Sequence, residues 1–270
     1  ADDGIVITDG TNEFVWIPIT EDFEGTYSGG TNYSEPTELT SNYSSSGAPY
    51  DSQATLDYLY GKNYYNYETD FAYDEHYAEM VESVNKYNGF YIGRYETTID
   101  ENKEIGSKYN KEVLTGATIL KDGTNPNFSG SSSLYYYRWY GQYYAERNSN
   151  VVGNKDYIQT NMIWGQQWDK MLEYFHSKAI DYSAEWGTST QGTVVNSGQS
   201  TNSSNENDKI YNVYDLRTNG WECTAEEGST HSRIFRGGYY INSSSAYNRS
   251  TASPTSSNSN GSSRLTLYIK

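Results

Sequence analysis

The chain of 270 residues carries a formal net charge of −16 at pH 7, from 19 basic and 35 acidic side chains. Such an excess of carboxylates argues against partners that present phosphates, so we expect neither nucleic acid nor an anionic membrane surface as a ligand. Aromatic residues make up 16% of the sequence, which predicts a folded chain, because disordered chains are poor in aromatics. The only cysteine, Cys223, excludes an internal disulfide and a zinc site built from several cysteines.

The first predicted elements are two short strands, at residues 5–7 and 14–19, separated by the turn sequence Asp9-Gly10-Thr11-Asn12. β-Branched and aromatic runs on either side of such a turn predict a hairpin. Residues 25–70 show no clear hydrophobic period and predict a long surface loop. Residues 1–4 lack the basic and apolar regions of a signal peptide, so we expect that a signal or upstream domains have been removed.

A helix is predicted at residues 74–87, because apolar and aromatic side chains recur there at helical spacing. These side chains are Tyr77, Met80, Val81, Val84 and Tyr87. The pair Asn88-Gly89 supplies a stop, and a buried strand is predicted directly after it, at residues 90–96.

Two further helices are predicted, at residues 134–147 and 165–177, and the second carries Trp168, Met171, Leu172 and Phe175 on one face. Another long loop is predicted at residues 180–208. Short strands follow at residues 210–214, 233–236 and 264–269. Strands at both ends with helices between them predict an α+β fold of one domain, residues 1–270, in which the termini pair. No apolar run approaches the roughly 18 residues of a membrane helix, so we expect no membrane insertion.

We expect the three histidines to lie on the surface rather than to bind a metal. His76, His176 and His231 lie far apart in the sequence and lack a metal-binding spacing such as His-Glu-x-x-His. The sequence has no nucleophile elbow, phosphate-binding glycine loop or dinucleotide-binding motif. Because 35 acidic residues produce carboxylate pairs at any spacing by chance, none of them is assigned a catalytic role.

The C-terminal part of the chain carries several short motifs in a definite order. Asn219-Gly-Trp-Glu-Cys223 is followed by Arg233-Ile-Phe-Arg-Gly-Gly238, by Arg249 and by Gly261-Ser-Ser-Arg264. This order resembles the formylglycine-generating-enzyme (sulfatase-modifying factor) family, whose pattern runs Asn-x-Trp-Glu-Trp, Arg-Gly-Gly-Ser, Arg, Gly-Phe-Arg.

Earlier segments also resemble that family, namely Phe14-Val-Trp-Ile-Pro18, residues 90–96 and residues 164–175, so the resemblance covers most of the chain. It implies a C-type lectin-like fold with small mixed sheets, two to three helices and extensive loops. It also implies structural roles for Trp221, which would fill the core, and for Gly237-Gly238, which would permit a tight backbone turn.

The enzymes of this family bind copper and activate oxygen through two cysteines, the first four residues after Gly-Gly and the second five residues further on. Counted from Gly238, these positions hold Asn242 and Tyr247. Neither supplies a thiolate, so the resemblance implies a non-catalytic branch without a copper cofactor. Cys223 stands where the family usually has tryptophan, and we expect a small buried side chain rather than a reactive thiol.

The segment from Tyr239 to Ser263 has the composition of a recognition surface. It contains ten serines, four asparagines and three tyrosines, and no Asp, Glu, Lys or Trp. Tyrosine provides contact area for few lost rotamers, and Ser and Asn provide adaptable hydrogen bonds. Within a ligand-binding region of about residues 233–270, the expected binding side chains are Tyr239, Tyr240, Asn242, Ser244, Ser245, Tyr247, Asn248, Ser256, Asn258 and Asn260.

The same bias resembles the variable proteins of diversity-generating retroelements, which randomise adenine-containing codons near the end of the gene on this lectin-like fold. The segment is therefore either a diversified or a fixed binding surface, with the tyrosines of residues 135–144 as further candidates. We expect the partner to be a protein or glycan on a cell surface, and the location to be extracellular, on a bacterial cell or a phage particle. A metal-dependent oxidase of the same family and a structural role in a surface layer or virion remain alternatives. Structural calcium, held by carboxylates and carbonyl oxygens, is compatible with this acidic chain, with no ligands assigned.

Overall fold

A computed structural model describes the following residues of the chain: 4–20, 73–102, 104–114, 138–151, 156–178, 194–195, 199–200, 209–217, 219–227, 233–238, 246, 249–252 and 261–270. Its strands are β1 Val6–Thr8, β2 Glu13–Pro18, β3 Gly89–Gly93, β4 Thr98–Ile99, β5 Ile105–Gly106, β6 Glu112–Val113, β7 Ile158–Met162, β8 Val194–Val195, β9 Gln199–Ser200, β10 Trp221–Glu227, β11 Arg233–Arg236, β12 Arg249–Ala252, β13 Gly261–Ser263 and β14 Leu265–Ile269. Its helices are α1 Tyr73–Tyr87, α2 Arg138–Arg147 and α3 Gly165–Ser177. The predicted loop at residues 25–70 lies outside the described residues.

The predicted N-terminal hairpin is confirmed, with β1 antiparallel to β2 and Val6 opposite Val15. Asp9 closes the turn, because its Oδ1 accepts the N–H groups of Thr11 and Asn12 at 2.9 and 2.7 Å. An aspartate that bonds its own backbone two residues on is a standard turn former, so the turn position follows directly from the sequence.

The hairpin belongs to a five-stranded antiparallel sheet of order β1-β2-β3-β14-β7. The first and last strands of the described chain therefore share one sheet, but β3 lies between β2 and β14, so the prediction that the termini pair directly is wrong. β3 also ends at Gly93, three residues before the end of the predicted strand 90–96. The hydrophobic core lies between this sheet and the helices, with Val15, Ile17, Phe90 and Ile92 fully buried.

The predicted helix at residues 74–87 is confirmed as α1, which buries Tyr77, Met80, Val81 and Val84 in the core. The helix is followed by Asn88 in the left-handed conformation, with φ 58°. Asparagine and glycine tolerate this conformation at helix C-termini, which explains why Asn88-Gly89 acts as the stop.

The other two predicted helices are also present. The helix predicted at residues 165–177 is α3, and Trp168, Met171, Leu172 and Phe175 are fully buried as expected. The helix predicted at residues 134–147 is described from Arg138 onward as α2.

A second, mixed sheet has the order β12-β11-β10-β13, in which only the β10–β13 pair is parallel. The predicted strand at residues 233–236 is confirmed as β11. The predicted strand at residues 264–269 is β14, but it is preceded by β13, and Arg264 is the one residue between these two strands of different sheets.

The predicted strand at residues 210–214 is wrong. Ile210 and Val213 exchange two backbone hydrogen bonds of 2.7 Å and close a tight turn, in which Tyr211 and Asn212 have φ values of 50° and 68°. Two left-handed residues in succession cannot continue an extended strand.

Short strands also occur where none was predicted. The predicted loop at residues 180–208 contains the two-stranded pair β8–β9, and β5, β4 and β6 form a small sheet between residues 98 and 113. Three helices and small sheets confirm the α+β class among the described residues. None of the helices described is long and apolar enough to cross a membrane.

Candidate functional site

The ten predicted binding residues lie outside the described part of the chain, and the structure describes the residues that flank them. The predicted residues Tyr239, Tyr240, Asn242, Ser244, Ser245, Tyr247 and Asn248 fall in the connection between β11 and β12, residues 237–248. The predicted residues Ser256, Asn258 and Asn260 fall in the connection between β12 and β13, residues 253–260. Gly237, Gly238, Ala246 and the three strands are described.

Strand direction brings the connection 237–248 to one end of the second sheet, whereas the connection 253–260 leaves β12 at the opposite end, after Ala252, and meets this end only where β13 begins. β11 is antiparallel to β10 and β12, so it ends at Arg236 where β12 begins at Arg249. β13 is parallel to β10, so it begins at Gly261 beside Trp221 at the same end. We call this end, marked by Trp221, Arg236, Arg249 and Gly261, the loop end. Its width from β12 to β13 is three strand spacings, or about 14 Å.

The connection 237–248 is fixed at its first residue. Gly237 has φ +74°, and a Cβ atom there would overlap the carbonyl oxygen of Leu216. This requirement confirms the expected role of glycine in a tight turn, and it falls on the first member of the Gly237-Gly238 pair. The backbone therefore leaves β11 in close contact with the chain that precedes β10.

The same connection is fixed again near its far end. Trp168 on α3 donates its indole N–H to the carbonyl oxygen of Ala246 at 2.9 Å, and both residues are fully buried. A buried tryptophan N–H needs an acceptor, so this bond ties the connection to the core helix.

Buried cations hold β11 itself. Arg236 forms an ion pair with Asp169 of α3, and both side chains are completely buried. The Arg233 guanidinium carbon lies 4.2 Å from the ring centroid of Trp139 on α2, at cation–π distance. The strand that leads into the connection is thus attached to two helices through charged groups.

A second buried ion pair holds the other side of the loop end. Arg264 donates from Nε and Nη2 to the two carboxylate oxygens of Glu222, with Nε at 2.7 Å from Oε2. The same guanidinium donates to the carbonyl oxygens of Gly93 and Tyr214 at 3.0 and 2.8 Å. Burial alone would lower the pKa of Arg264, but the contact with Glu222 outweighs this effect and raises the pKa. The guanidinium therefore stays protonated.

Glu96 joins the segments that begin β10 and β13. Its carboxylate accepts hydrogen bonds from the Gly220 N–H at 3.0 Å, from the Ser262 hydroxyl at 2.6 Å and from the Asn219 side-chain amide. Burial, followed by repulsion from Asp215 and Glu222, raises the pKa of Glu96 well above its ordinary range. The sequence alone does not single out this glutamate, because it is one of 35 acidic residues.

Trp221 does not fill the core as expected. It is only partly buried, packs against the edge of the core and begins β10 at the loop end. The residue after it, Glu222, occupies the buried position and uses it for the ion pair with Arg264. Trp221 is therefore a residue of the loop end that sequence reasoning misplaced.

His76 is not the surface histidine that was expected. It is half-buried, and its Nδ1 lies 2.7 Å from the hydroxyl oxygen of Tyr143. Burial, together with the nearby charge of Arg147, lowers the pKa of His76 to about 4, so the ring is neutral at physiological pH. The side chains of His176 and His231 lie outside the described set.

Of the remaining side-chain predictions, one is confirmed and another is wrong for the side chains that the structure describes. Cys223 is completely buried, as expected. Of the tyrosines at residues 135–144, Tyr143 belongs to the core and Tyr144 is partly buried, so neither is an exposed contact residue as proposed. The other tyrosine side chains of that stretch lie outside the described set. No group of three or more His, Cys, Asp or Glu side chains within the described ranges is placed to hold a metal ion.

Comparison with known proteins found no match to a family model, to a curated protein or to a solved structure.

Proposed function

We propose that this chain is a non-catalytic binding protein that presents the Tyr/Ser/Asn-rich residues 239–263 to a ligand or receptor, on a C-type lectin-like scaffold of the formylglycine-generating-enzyme type. The expected partner is a protein or glycan on a cell surface. The expected setting is extracellular, on a bacterial cell or a phage particle, with the segment either fixed or diversified by a retroelement.

The observation that carries the proposal is the way the loop end is held. The connection 237–248 is attached at Gly237, at Ala246 and at Arg249, over a frame of buried ion pairs. Binding loops on a rigid framework lose less conformational entropy when a partner binds, so their contacts contribute more fully to affinity.

The composition of the region supports the same function. Residues 239–263 contain no Asp, Glu or Lys and a single arginine, Arg249, whereas the whole chain has 35 acidic residues. A hydroxyl-rich and aromatic segment without acidic side chains, on an otherwise acidic protein, avoids like-charge repulsion at the point of contact. The acidic remainder opposes self-association elsewhere on the molecule.

The argument against catalysis rests on two positions. Asn242 and Tyr247 stand where the resemblance places the two copper-binding cysteines, and neither side chain is a thiolate ligand. Stoichiometric copper or iron in the purified protein, together with oxygen consumption, would replace the binding proposal with the oxidase alternative.

The test is a variant in which Tyr239, Tyr240 and Tyr247 are all changed to alanine. Labelled protein is measured for binding to an array of immobilised glycans and to a panel of intact bacterial cells. We expect wild-type protein to bind at least one of these probes and the variant to bind at least about tenfold more weakly, because tyrosines are frequent hot spots.

The matched control is the double variant Tyr109→Ala and Tyr157→Ala, because these tyrosines are 52% and 67% exposed and lie outside residues 239–263. It should bind like wild type. The triple variant should keep its melting temperature within about 2 °C, since exposed side chains contribute little to stability. Unchanged binding by the triple variant would place the site elsewhere, and a large fall in melting temperature would show that these tyrosines belong to the core.

A further inference from the structure

The only cysteine of the chain meets a glutamine inside the molecule. Cys223 on β10 and Gln142 on α2 are both completely buried, and the Cys223 Sγ lies 3.1 Å from the Gln142 side-chain oxygen Oε1. The amide carbon Cδ is bonded to that oxygen at about 1.23 Å, so it lies no more than about 4.3 Å from the sulfur. The thiol donates a hydrogen bond to Oε1, so a nucleophilic atom and an acyl carbon lie close together in a completely buried site.

The glutamine carboxamide is held in one orientation. Its Nε2 donates to the carbonyl oxygens of Leu114 and Gly261 at 2.8 and 3.1 Å, which directs Oε1 toward the sulfur. The contact between α2 and β10 is also fixed one turn earlier on α2, where Trp139 donates its indole N–H to the Thr224 carbonyl oxygen at 2.7 Å. Holding two reactive groups in one place raises their effective concentration.

A carboxyl group that can carry a proton lies beside this pair. Glu146 is four residues after Gln142 on α2, so both side chains project from the same face of the helix. Its Oε1 accepts the hydroxyl of Ser263 at 2.7 Å, and Ser263 is opposite Cys223 in the β10–β13 pair. Its Oε2 is buried and has no hydrogen-bond partner within the described residues. Burial raises the pKa of Glu146 to about 8, so the group is protonated at neutral pH.

From this arrangement we infer that Cys223 and Gln142 form an internal thioester cross-link. The Cys223 sulfur adds to Cδ of Gln142, the S–C bond forms and the Cδ–N bond breaks. The carboxamide nitrogen leaves as ammonia, with the two hydrogens it already has and a third that Glu146 donates. Glu146 regains its proton from the thiol. The reaction consumes one thiol and one amide and releases one ammonia, with no change of oxidation state.

The cross-link would join the middle of α2 to β10, the strand whose first residue, Trp221, lies at the loop end. Because both groups are completely buried, the folded protein would protect the thioester from water and from amines. The inference does not depend on the binding function or on the identity of any partner.

Intact-mass measurement of the purified protein under non-reducing conditions tests the cross-link. We expect a mass below that of the sequence by one ammonia, and no thiol that reacts with a thiol reagent in denaturant. Methylamine added in urea should then add one methylamine per chain at Gln142 and release one thiol per chain. The folded protein should resist the same treatment.

Two variants separate this cross-link from other losses of ammonia, such as succinimide formation at Asn-Gly sequences. Cys223→Ala and Gln142→Glu should each have the full mass of their sequence. A mass deficit that persists in Cys223→Ala overturns the inference, and so does a wild-type chain of full mass with one reactive thiol.

The role of Glu146 is tested by following the mass of cell-free synthesised chains over time. In Glu146→Gln we expect the cross-link to form at least tenfold more slowly, with a rate that no longer falls as the pH rises past 8. Formation at the wild-type rate and with the wild-type pH profile would show that Glu146 is not the proton carrier.

Discussion

The two larger sheets of the molecule are held in place by different interactions. The five-stranded sheet contacts the core through apolar side chains such as Val15, Phe90 and Ile92. The second sheet packs Cys223, Ala225 and Phe235 in the same core and adds buried ion pairs, those of Arg264 with Glu222 and of Arg236 with Asp169. Apolar contacts are non-directional, whereas ion pairs work only in one geometry and carry a desolvation penalty. The buried ion pairs therefore fix the position of the loop end in addition to the apolar contacts that both sheets make.

The largest expected effect follows from removing one partner of a buried ion pair. Arg264→Met leaves the Glu222 carboxylate buried without its cation and removes the donors to the Gly93 and Tyr214 carbonyl oxygens. We expect the free energy of unfolding in urea at pH 7 to fall by about 4 kcal/mol.

The control is the double variant Glu222→Leu and Arg264→Met, which removes both charges together. It should recover at least half of the loss, because a paired apolar replacement leaves no uncompensated buried charge. A loss below about 1 kcal/mol in the single variant would mean that the ion pair does not hold the second sheet.

The next effect is a pH dependence of the free energy of unfolding, and it comes from the buried carboxyl group of Glu146 on α2. The pKa of Glu146 is about 8 in the folded protein against an ordinary value of 4.5, so the folded state keeps a proton that the unfolded chain releases between these values. Stability contributed by this group is complete below pH 4.5 and is lost as the pH rises through 8, by roughly 3 kcal/mol between pH 5 and pH 8.

This pH dependence is measured by urea unfolding in a Cys223→Ala background, so that a cross-link does not contribute. Adding Glu146→Gln to that background should remove this part of the dependence and stabilise the protein at pH 8, since the amide keeps the shape without an ionisable proton. Parallel pH profiles with and without Glu146→Gln would contradict the raised pKa.

The smallest expected effect is at the turn that leads into the connection. Gly237→Ala combines backbone strain at φ +74° with a steric overlap against Leu216, and we expect a loss of about 2 kcal/mol in the free energy of unfolding. Gly10→Ala is a matched control, because Gly10 has φ +99° but no atom within 4 Å of the added Cβ. Gly10→Ala should cost about half as much, and equal costs would show that the Leu216 contact can relax.

The sequence predicted the elements whose side chains repeat with a clear period. α1 and α3 were found from Tyr77, Met80, Trp168 and their neighbours, and β11 was found with its correct ends. β4, β5 and β6 are two residues long, too short for any alternation to show. The segment 210–214 has strand-like composition, but the left-handed backbone at Tyr211 and Asn212 overrides that preference.

The frame of the candidate site was much harder to predict. The role of Gly237 was expected from the motif. The ion pair between Arg236 and Asp169 was not predicted, because these residues are 67 positions apart in the sequence and only the fold brings them together. Glu96 and Glu146 are buried acids that no local pattern separates from exposed ones. The order β3-β14 within the five-stranded sheet is likewise a long-range feature, and strand order does not follow from strand composition.

Arg264 is the single residue at which the chain passes from the second sheet to the five-stranded sheet, and its guanidinium is bonded to Glu222, Gly93 and Tyr214. The register of β14 is therefore set at Arg264 and not by the number of residues before Gly261. Insertions in residues 253–260 would raise the entropic cost of closing that connection by only about 0.6 kcal/mol per doubling of its length. An engineered library can therefore alter residues 253–260 without shifting the strand that follows.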